Sequence, residues 1–233
     1  MGESGLQTVS VRVAAAGASR TADREALVAF VAEVTRSDPA LVSVQQRCPH
    51  CGAADHGRPG ARVDGRRVGV GLARTSGIVV LAVGPASLGV DVERASRVTA
   101  APLDAFTAGE RHRAVASGPE CAGVHLTACW TVKEAVLKRD GRGLRVDPAR
   151  VEAVLGRVGD GQVDRARFDG MEQLVTVVVL DADLVVAVAA GGAPVRVEDL
   201  RGPGPQDGGD TGTTPTPRRH GRQGGAVSGR RRG

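Results

Sequence analysis

Little in this chain is aromatic. Of its 233 residues, Trp130, Phe30, Phe106 and Phe168 are the only Trp or Phe, and tyrosine is absent. Lysine is scarcer still: of 31 basic residues, 29 are arginine and only Lys133 and Lys138 are lysine. No apolar run approaches the roughly 18 residues that a membrane-spanning helix needs, which excludes such a span. The opening stretch, MGESGLQTVSVRV, lacks a basic segment followed by an apolar one, so no secretory signal is expected. Four cysteines are too few for a disulfide scaffold of this length, and a reduced, cytoplasmic protein is expected.

Charge is unevenly spread. Residues 203–233 carry six arginines and two aspartates, which leaves 25 basic and 24 acidic side chains in the 202 residues before them. That body is nearly neutral, which argues against a nucleic-acid-binding protein. The tail is Gly, Pro, Thr and Arg without periodicity and is expected to be disordered. It reads as a solubilising extension, with salt-sensitive attachment to RNA or acidic proteins as the sharper alternative. The rest is rich in Ala, Gly, Val and Arg, the composition of GC-rich coding sequence in which arginine replaces lysine wherever either serves. The two surviving lysines lie five residues apart, beside the sole tryptophan. Arginine is no substitute where a compact, titratable ammonium is needed, so the chemistry is expected there.

Along the chain, 8–13 alternates like a strand, and 21–34 has the spacing of a helix with Thr21 or Asp23 as N-cap. A strand is expected at 41–46. The segments 68–73, 77–83 and 88–93 are punctuated as in a meandering sheet. Residues 94–105 look like a connector, 106–117 and 121–139 like helices, and 151–155, 172–180 and 184–190 like strands. Asp181–Asp183 is a hairpin candidate. The expected organisation is an α+β protein: an N-terminal half (1–98), a C-terminal half (99–202) and the tail.

Three constellations stand out. In LGVDVE (88–93), strand alternation puts Asp91 and Glu93 together on the face opposite Leu88, Val90 and Val92. Two such carboxylates suit a hard divalent cation such as Mg²⁺, or form the solvated face of an edge strand. In WTVKEAVLK (130–138), Trp130, Glu134 and Lys138 form one helical stripe, and Glu134 with Lys138 is either an exposed ion pair or part of a site. In FTAGERHR (106–113), Thr107 and Glu110 have the spacing of a capping box, and Glu110 is equally a candidate catalytic carboxylate. Cys48-Pro-His-Cys51 has zinc-ligand spacing, with His50 or His56 within reach, but no second C-x-x-C completes it, and it reads as an ordinary loop.

The order G-V-D-V-E (Gly89–Glu93), F-T-x-x-E (Phe106–Glu110), W-x-x-K-E-A-x-x-K (Trp130–Lys138) and G-R-G-L (Gly141–Leu144) resembles the 4′-phosphopantetheinyl transferases, specifically the longer single-chain type acting on carrier proteins of secondary metabolism. The resemblance implies two similar α/β halves in a pseudo-twofold arrangement, an active site in the cleft between them, and a monomer. It implies Mg²⁺ held by Asp91, Glu93 and Glu134 on the pyrophosphate of coenzyme A, with a carrier-protein serine as attacking group. A glutamate or a metal-bound water takes the serine proton, Glu134 being the first choice and Glu110 the second. Lys138 meets the departing 3′,5′-ADP, and Lys133 faces phosphate or braces the helix.

Upstream, Gly57-Arg58-Pro59 stands where the family has G-K-P, a coenzyme A contact. Gly71–Thr75 stands where the family has N-(L/V)-S-H-S, so Arg74 and Thr75 are expected at the 3′-phosphate. Ala73 and Gly71 remove hydrogen-bonding side chains there, with weaker coenzyme A binding the implied consequence. Arg20 or Arg24 is a candidate further phosphate contact, and Arg111 and Arg113 are candidates for docking the acidic carrier protein. The expected activity is that of a holo-carrier-protein synthase. The alternatives are a degenerate homologue that binds coenzyme A without transfer, and a basic-tailed nucleic-acid protein whose acidic motifs are coincidental.

Overall fold

The computed structural model describes residues 6–202 except 48–50, 54–56, 86, 101–103, 157 and 159–162. The tail, Cys48, His50 and His56 therefore lie outside the described residues. β1 (Val9–Ala15) leads into α1 (Arg20–Thr35), followed by β2 (Val42–Gln46), β3 (Pro59–Val63), β4 (Arg66–Thr75) and β5 (Ile78–Gly84). Next come β6 (Gly89–Arg94), α2 (Ala95–Ala100), α3 (Ala108–Ala116) and α4 (Pro119–Asp140). The chain continues through β7 (Glu152–Val154), β8 (Val163–Phe168), β9 (Met171–Val179), β10 (Leu184–Ala189) and β11 (Val195–Asp199). One sheet has the order β11-β1-β5-β4-β3-β2 and the other β6-β10-β9-β8-β7. β1 pairs parallel with β11, and all other pairings are antiparallel.

Strand alternation builds the layers. Val9, Val11 and Val13 of β1 and Ile78, Val80 and Ala82 of β5 pack against Leu88, Val90 and Val92 and against Leu184, Val186 and Val188 of β10, so the two sheets lie face to face. The outer face of the first sheet, with Val79, Leu81 and Val83, is covered by Leu27, Phe30 and Val31 of α1. The outer face of the second, with Val185, Ala187 and Ala189, is covered by Ala128, Val132, Ala135 and Val136 of α4. β5 and β10 are buried on both faces and accordingly read as near-continuous apolar runs.

Several local expectations need correction. Ser19, not Thr21 or Asp23, caps α1 by accepting from the Ala22 N–H, while Asp23 accepts from Gly17 N. The segments 68–73, 77–83 and 88–93 do not make one meander: β4 and β5 pair with each other, but β6 crosses to the second sheet and pairs with β10. The connector expected at 94–105 contains α2, and β3, β8 and β11 had no counterpart in the sequence reading. The hairpin at Asp181–Asp183 is present, with Asp181 Oδ1 accepting from the N–H groups of Asp183 and Leu184.

Candidate active site

Glycine at position 89 sets the site. A Cβ there would run into the carbonyl oxygen of Ala135 on α4, so its absence lets the helix backbone settle onto β6. The face of β6 carrying Asp91 is therefore not an open outer face; it is roofed by α4, and Asp91 is buried. Lys138 reaches down from the last turns of α4 and places Nζ 2.5 Å from Asp91 Oδ1. Asp91 Oδ2 and Glu134 Oε1 are buried with no hydrogen-bond partner among the described residues, a costly arrangement that a stable fold keeps only for a purpose or for a missing partner. Glu93, two residues along, accepts a 2.9 Å hydrogen bond at Oε2 from the Thr75 hydroxyl.

Burial, reinforced by Asp91, pushes the Glu134 carboxyl up to about 7. Burial likewise raises Asp91, with Lys138 pulling the other way. At Lys138 burial works against the ammonium, but Asp91, Glu134 and Glu93 together outweigh it and raise its pKa, so it stays charged. Asp91, Glu93 and Glu134 thus act on one another electrostatically, yet among the described residues no three His, Cys, Asp or Glu side chains stand in a ready metal-binding group. The donor set nevertheless fits a hard divalent cation: all the donors are carboxylate oxygens, and two of them are buried without partners.

Glu134 and Lys138 line a cavity of about 480 Å³, a size suited to a cofactor-like ligand. Its floor is apolar, from Leu27, Val44, Val70, Leu72, Leu88 and Val90. Arg20, Arg24, Arg58, Arg74, Arg142, Arg145 and Lys138 line it as well, and among the described residues Glu134 is the single acidic one. That asymmetry selects a polyanion with an apolar portion. Arg58, beside Pro59, donates to the carbonyls of Arg139 and Leu88, and its pKa is lowered by burial and then by Arg139. Arg74 Nε rests 2.5 Å from Asp23 Oδ2, a buried partner the sequence reading did not foresee. Arg24 donates to Gln46, whose amide in turn donates to the Gly57 carbonyl, tying α1 to the Arg58 segment. Arg142 and Arg145 were also missed, although they flank and occupy the Gly-rich segment after α4; Arg142 is held by Asp140 and Asp169 and stacks over Phe168.

Other expected site residues go elsewhere. Ala73 is buried between the sheets rather than in the cavity, so a side chain there has no ligand to meet. Gly71 lines the cavity, but a Cβ would come within 2.7 Å of Val90 Cγ1, so packing against β6 accounts for glycine. Thr75 is not among the cavity-lining residues. Glu110 and Lys133, both fully buried, form an ion pair of 2.9 Å. Glu110 also closes the capping box with Thr107 and accepts from Ala153 N at 2.7 Å. Lys133 donates to the carbonyls of Pro148 and Val151. The structure brings together Asp91, Glu93, Glu134 and Lys138, and sets Glu110 and Lys133 in a separate brace between α3, α4 and β7. Cys129 sits beside that brace, its thiol pushed up to about 12 by burial and then by Glu110, and so is inert. Arg111 is exposed, while Arg113 is turned onto the Ala153 carbonyl and Glu152.

Residues 87–189 match the family model of the 4′-phosphopantetheinyl transferase superfamily. The match supports this family and, with it, a transferase. It begins just before β6 and takes in α4, so it contains Asp91, Glu93, Glu134 and Lys138, while Arg58 and Arg74 lie upstream of it. None of the curated proteins matches the chain. Phosphopantetheinyl transferases use coenzyme A as substrate, act on carrier proteins and typically employ a divalent metal. The two face-to-face sheets, each backed by a helix, are compatible with their α+β fold. No described helix is long and apolar enough to cross a membrane.

Proposed function

We propose that this chain is a holo-carrier-protein synthase of the longer single-chain type. It moves the 4′-phosphopantetheine arm of coenzyme A onto a serine of an apo acyl or peptidyl carrier protein of secondary metabolism and releases 3′,5′-ADP. It works in the cytoplasm as a monomer, with the site between an N-terminal half that holds coenzyme A and a C-terminal half that supplies the catalytic helix. The carrying observation is the cationic, apolar-floored cavity whose wall presents Glu134 and Lys138 directly over buried Asp91. Coenzyme A matches that lining, with anionic groups at the diphosphate and 3′-phosphate and an apolar adenine and pantetheine between and beyond them.

The chain's own groups then have distinct tasks. Arg58, Arg74 and the α1 arginines hold the phosphates and fix the nucleotide; Arg74 is steadied by Asp23. Asp91, Glu93 and Glu134 would hold Mg²⁺, which when bound neutralises the diphosphate charge. Glu134 accepts the proton of the carrier serine as its oxygen bonds to the phosphorus bearing the pantetheine arm. The phosphoanhydride bond breaks, and Lys138 neutralises the 3′,5′-ADP that leaves. Glu110, committed to its capping box and to Lys133, has no part in this chemistry. A coenzyme A binder without transfer is the weaker reading, since Ala73 and Gly71 are explained by packing rather than by loss of a binding site. The test is the release of 3′,5′-ADP, measured chromatographically with apo carrier protein, coenzyme A and Mg²⁺. One ADP per serine modified, abolished in Lys138→Ala, is expected; release at the wild-type rate from that variant would refute the assignment.

A further inference from the structure

The match to the family places Asp91, Glu93 and Glu134 within its span, but it begins after β4, and β4 supplies the hydroxyl that hydrogen-bonds Glu93. In β4, Gly71, Ala73 and Thr75 share the face that meets β6. Thr75 closes the strand, is 7% exposed, and donates from Oγ1 to Glu93 Oε2 at 2.9 Å. A threonine hydroxyl has one proton to give and lone pairs to receive. Arg97, one turn into α2, donates from Nη1 to the same Oγ1 at 3.3 Å. That donation occupies a lone pair and leaves the hydroxyl proton for Glu93. Arg97 itself stops 4.0 Å from Glu93 Oε2, too far for a hydrogen bond, so its charge acts on the carboxylate through space while the Thr75 hydroxyl makes the hydrogen bond.

Resting on the metal reading above, we infer that Thr75, oriented by Arg97, is a positioning residue that fixes the Glu93 carboxylate for the divalent cation. It is not a coenzyme A contact. Glu93 stands near the end of an edge strand with its side chain 21% exposed, and a carboxylate so placed rotates unless something holds it. The bond at Oε2 restrains that rotation. Among the described residues Oε1 has no hydrogen bond, so one oxygen is clamped and the other is free to ligate. Groups that orient a ligating carboxylate typically govern metal affinity by about 10- to 100-fold. The sequence position of Thr75, in the stretch resembling the family's 3′-phosphate segment, suggested the opposite role. The absence of Thr75 from the cavity lining and its hydroxyl's direction toward β6 decide against it.

The two roles separate experimentally. Mn²⁺ binding to the full-length protein saturated with coenzyme A is followed by electron paramagnetic resonance, and coenzyme A binding is measured apart from it by calorimetry in EDTA. Thr75→Val, which keeps shape and removes the hydroxyl, is expected to weaken Mn²⁺ binding by about tenfold or more. Thr75→Ser is expected to restore it, and coenzyme A affinity in EDTA to stay at the wild-type value in both. In a Glu93→Gln background, Thr75→Val should add no further loss, because the group it positions is gone. Thermal melting accompanies each variant, and Thr75→Ala, which also lacks the hydroxyl, carries the same expected loss should valine lower the melting point. A Mn²⁺ affinity unchanged in Thr75→Val, a full loss persisting in the Glu93→Gln background, or a fall in coenzyme A affinity in EDTA would each overturn the inference. Wild type that takes up no Mn²⁺ would overturn the metal reading itself, a result distinct from any difference among the variants.

Discussion

Glu134→Gln keeps the size of the side chain and removes its capacity to take a proton. Turnover should fall by about 10²- to 10⁴-fold, with the melting temperature held or raised, because a buried carboxyl with an unpartnered oxygen becomes a neutral amide. Glu110→Ala should behave in the opposite way. It strands the fully buried Lys133 ammonium without its counter-ion, so a loss of about 3–5 kcal/mol is expected in denaturant titration. The two glutamates were both legible in the sequence as carboxylates in motifs, but their roles were not. Glu110 satisfies the spacing of a capping box and of a catalytic acid equally, and its partners in space, Lys133 and the Ala153 N–H, favour the structural role. Arg74 shows the same limit, since its partner Asp23 is remote along the chain and lies on another element.

At the scale of elements, α2 depends on a residue far from it in sequence. Asp183, in the β9–β10 turn, accepts from the Ser96 N–H and hydroxyl through its carboxylate and from the Ala95 N–H through its carbonyl. Removing that side chain in Asp183→Ala should cost about 1 kcal/mol, as losing an N-cap does. This is why 94–105 looked like a connector: the six residues of α2 carry no capping signal of their own. β6 and α4, by contrast, were legible because residue type and spacing there are dictated together by helix-on-strand contact and by the site. Although burial opposes it, hydrogen bonding from Ser96 and Arg94 holds the Asp183 carboxyl below its usual value, and Arg201 does the same for Asp199. Carboxylates depressed in the folded state add stability that is present above their unfolded pKa of about 4 and is lost as the pH falls through the lower folded values. Unfolding between about pH 5 and pH 2 should therefore be less steep in Asp199→Asn and Asp183→Asn than in wild type, as measured by circular dichroism.

At the scale of the whole molecule, the two sheets exchange strands with the sequence order. β6, from residues 89–94, lies in the second sheet, while β11, from residues 195–199, completes the first beside β1. A fragment of residues 1–98 would leave β6 without β10 and β1 without β11. Neither it nor a fragment of 99–202 should fold alone, and residues 1–202 should melt in one transition, as one compact unit. That interlock was not legible, because β11 (VRVED) is an exposed edge strand with little apolar signal, and nothing local says that it returns to β1. It matters for function, since it fixes β6 under α4 and so holds Asp91 beneath Lys138. The central claim concerns what that arrangement does. The most direct measurement is the intact mass of a purified apo acyl or peptidyl carrier protein after incubation with this protein, coenzyme A and Mg²⁺, beside EDTA and Glu134→Gln controls. The account predicts a gain of one phosphopantetheine that is absent from both controls; an equal gain in the Glu134→Gln control, or no gain across carriers of both kinds, would contradict it.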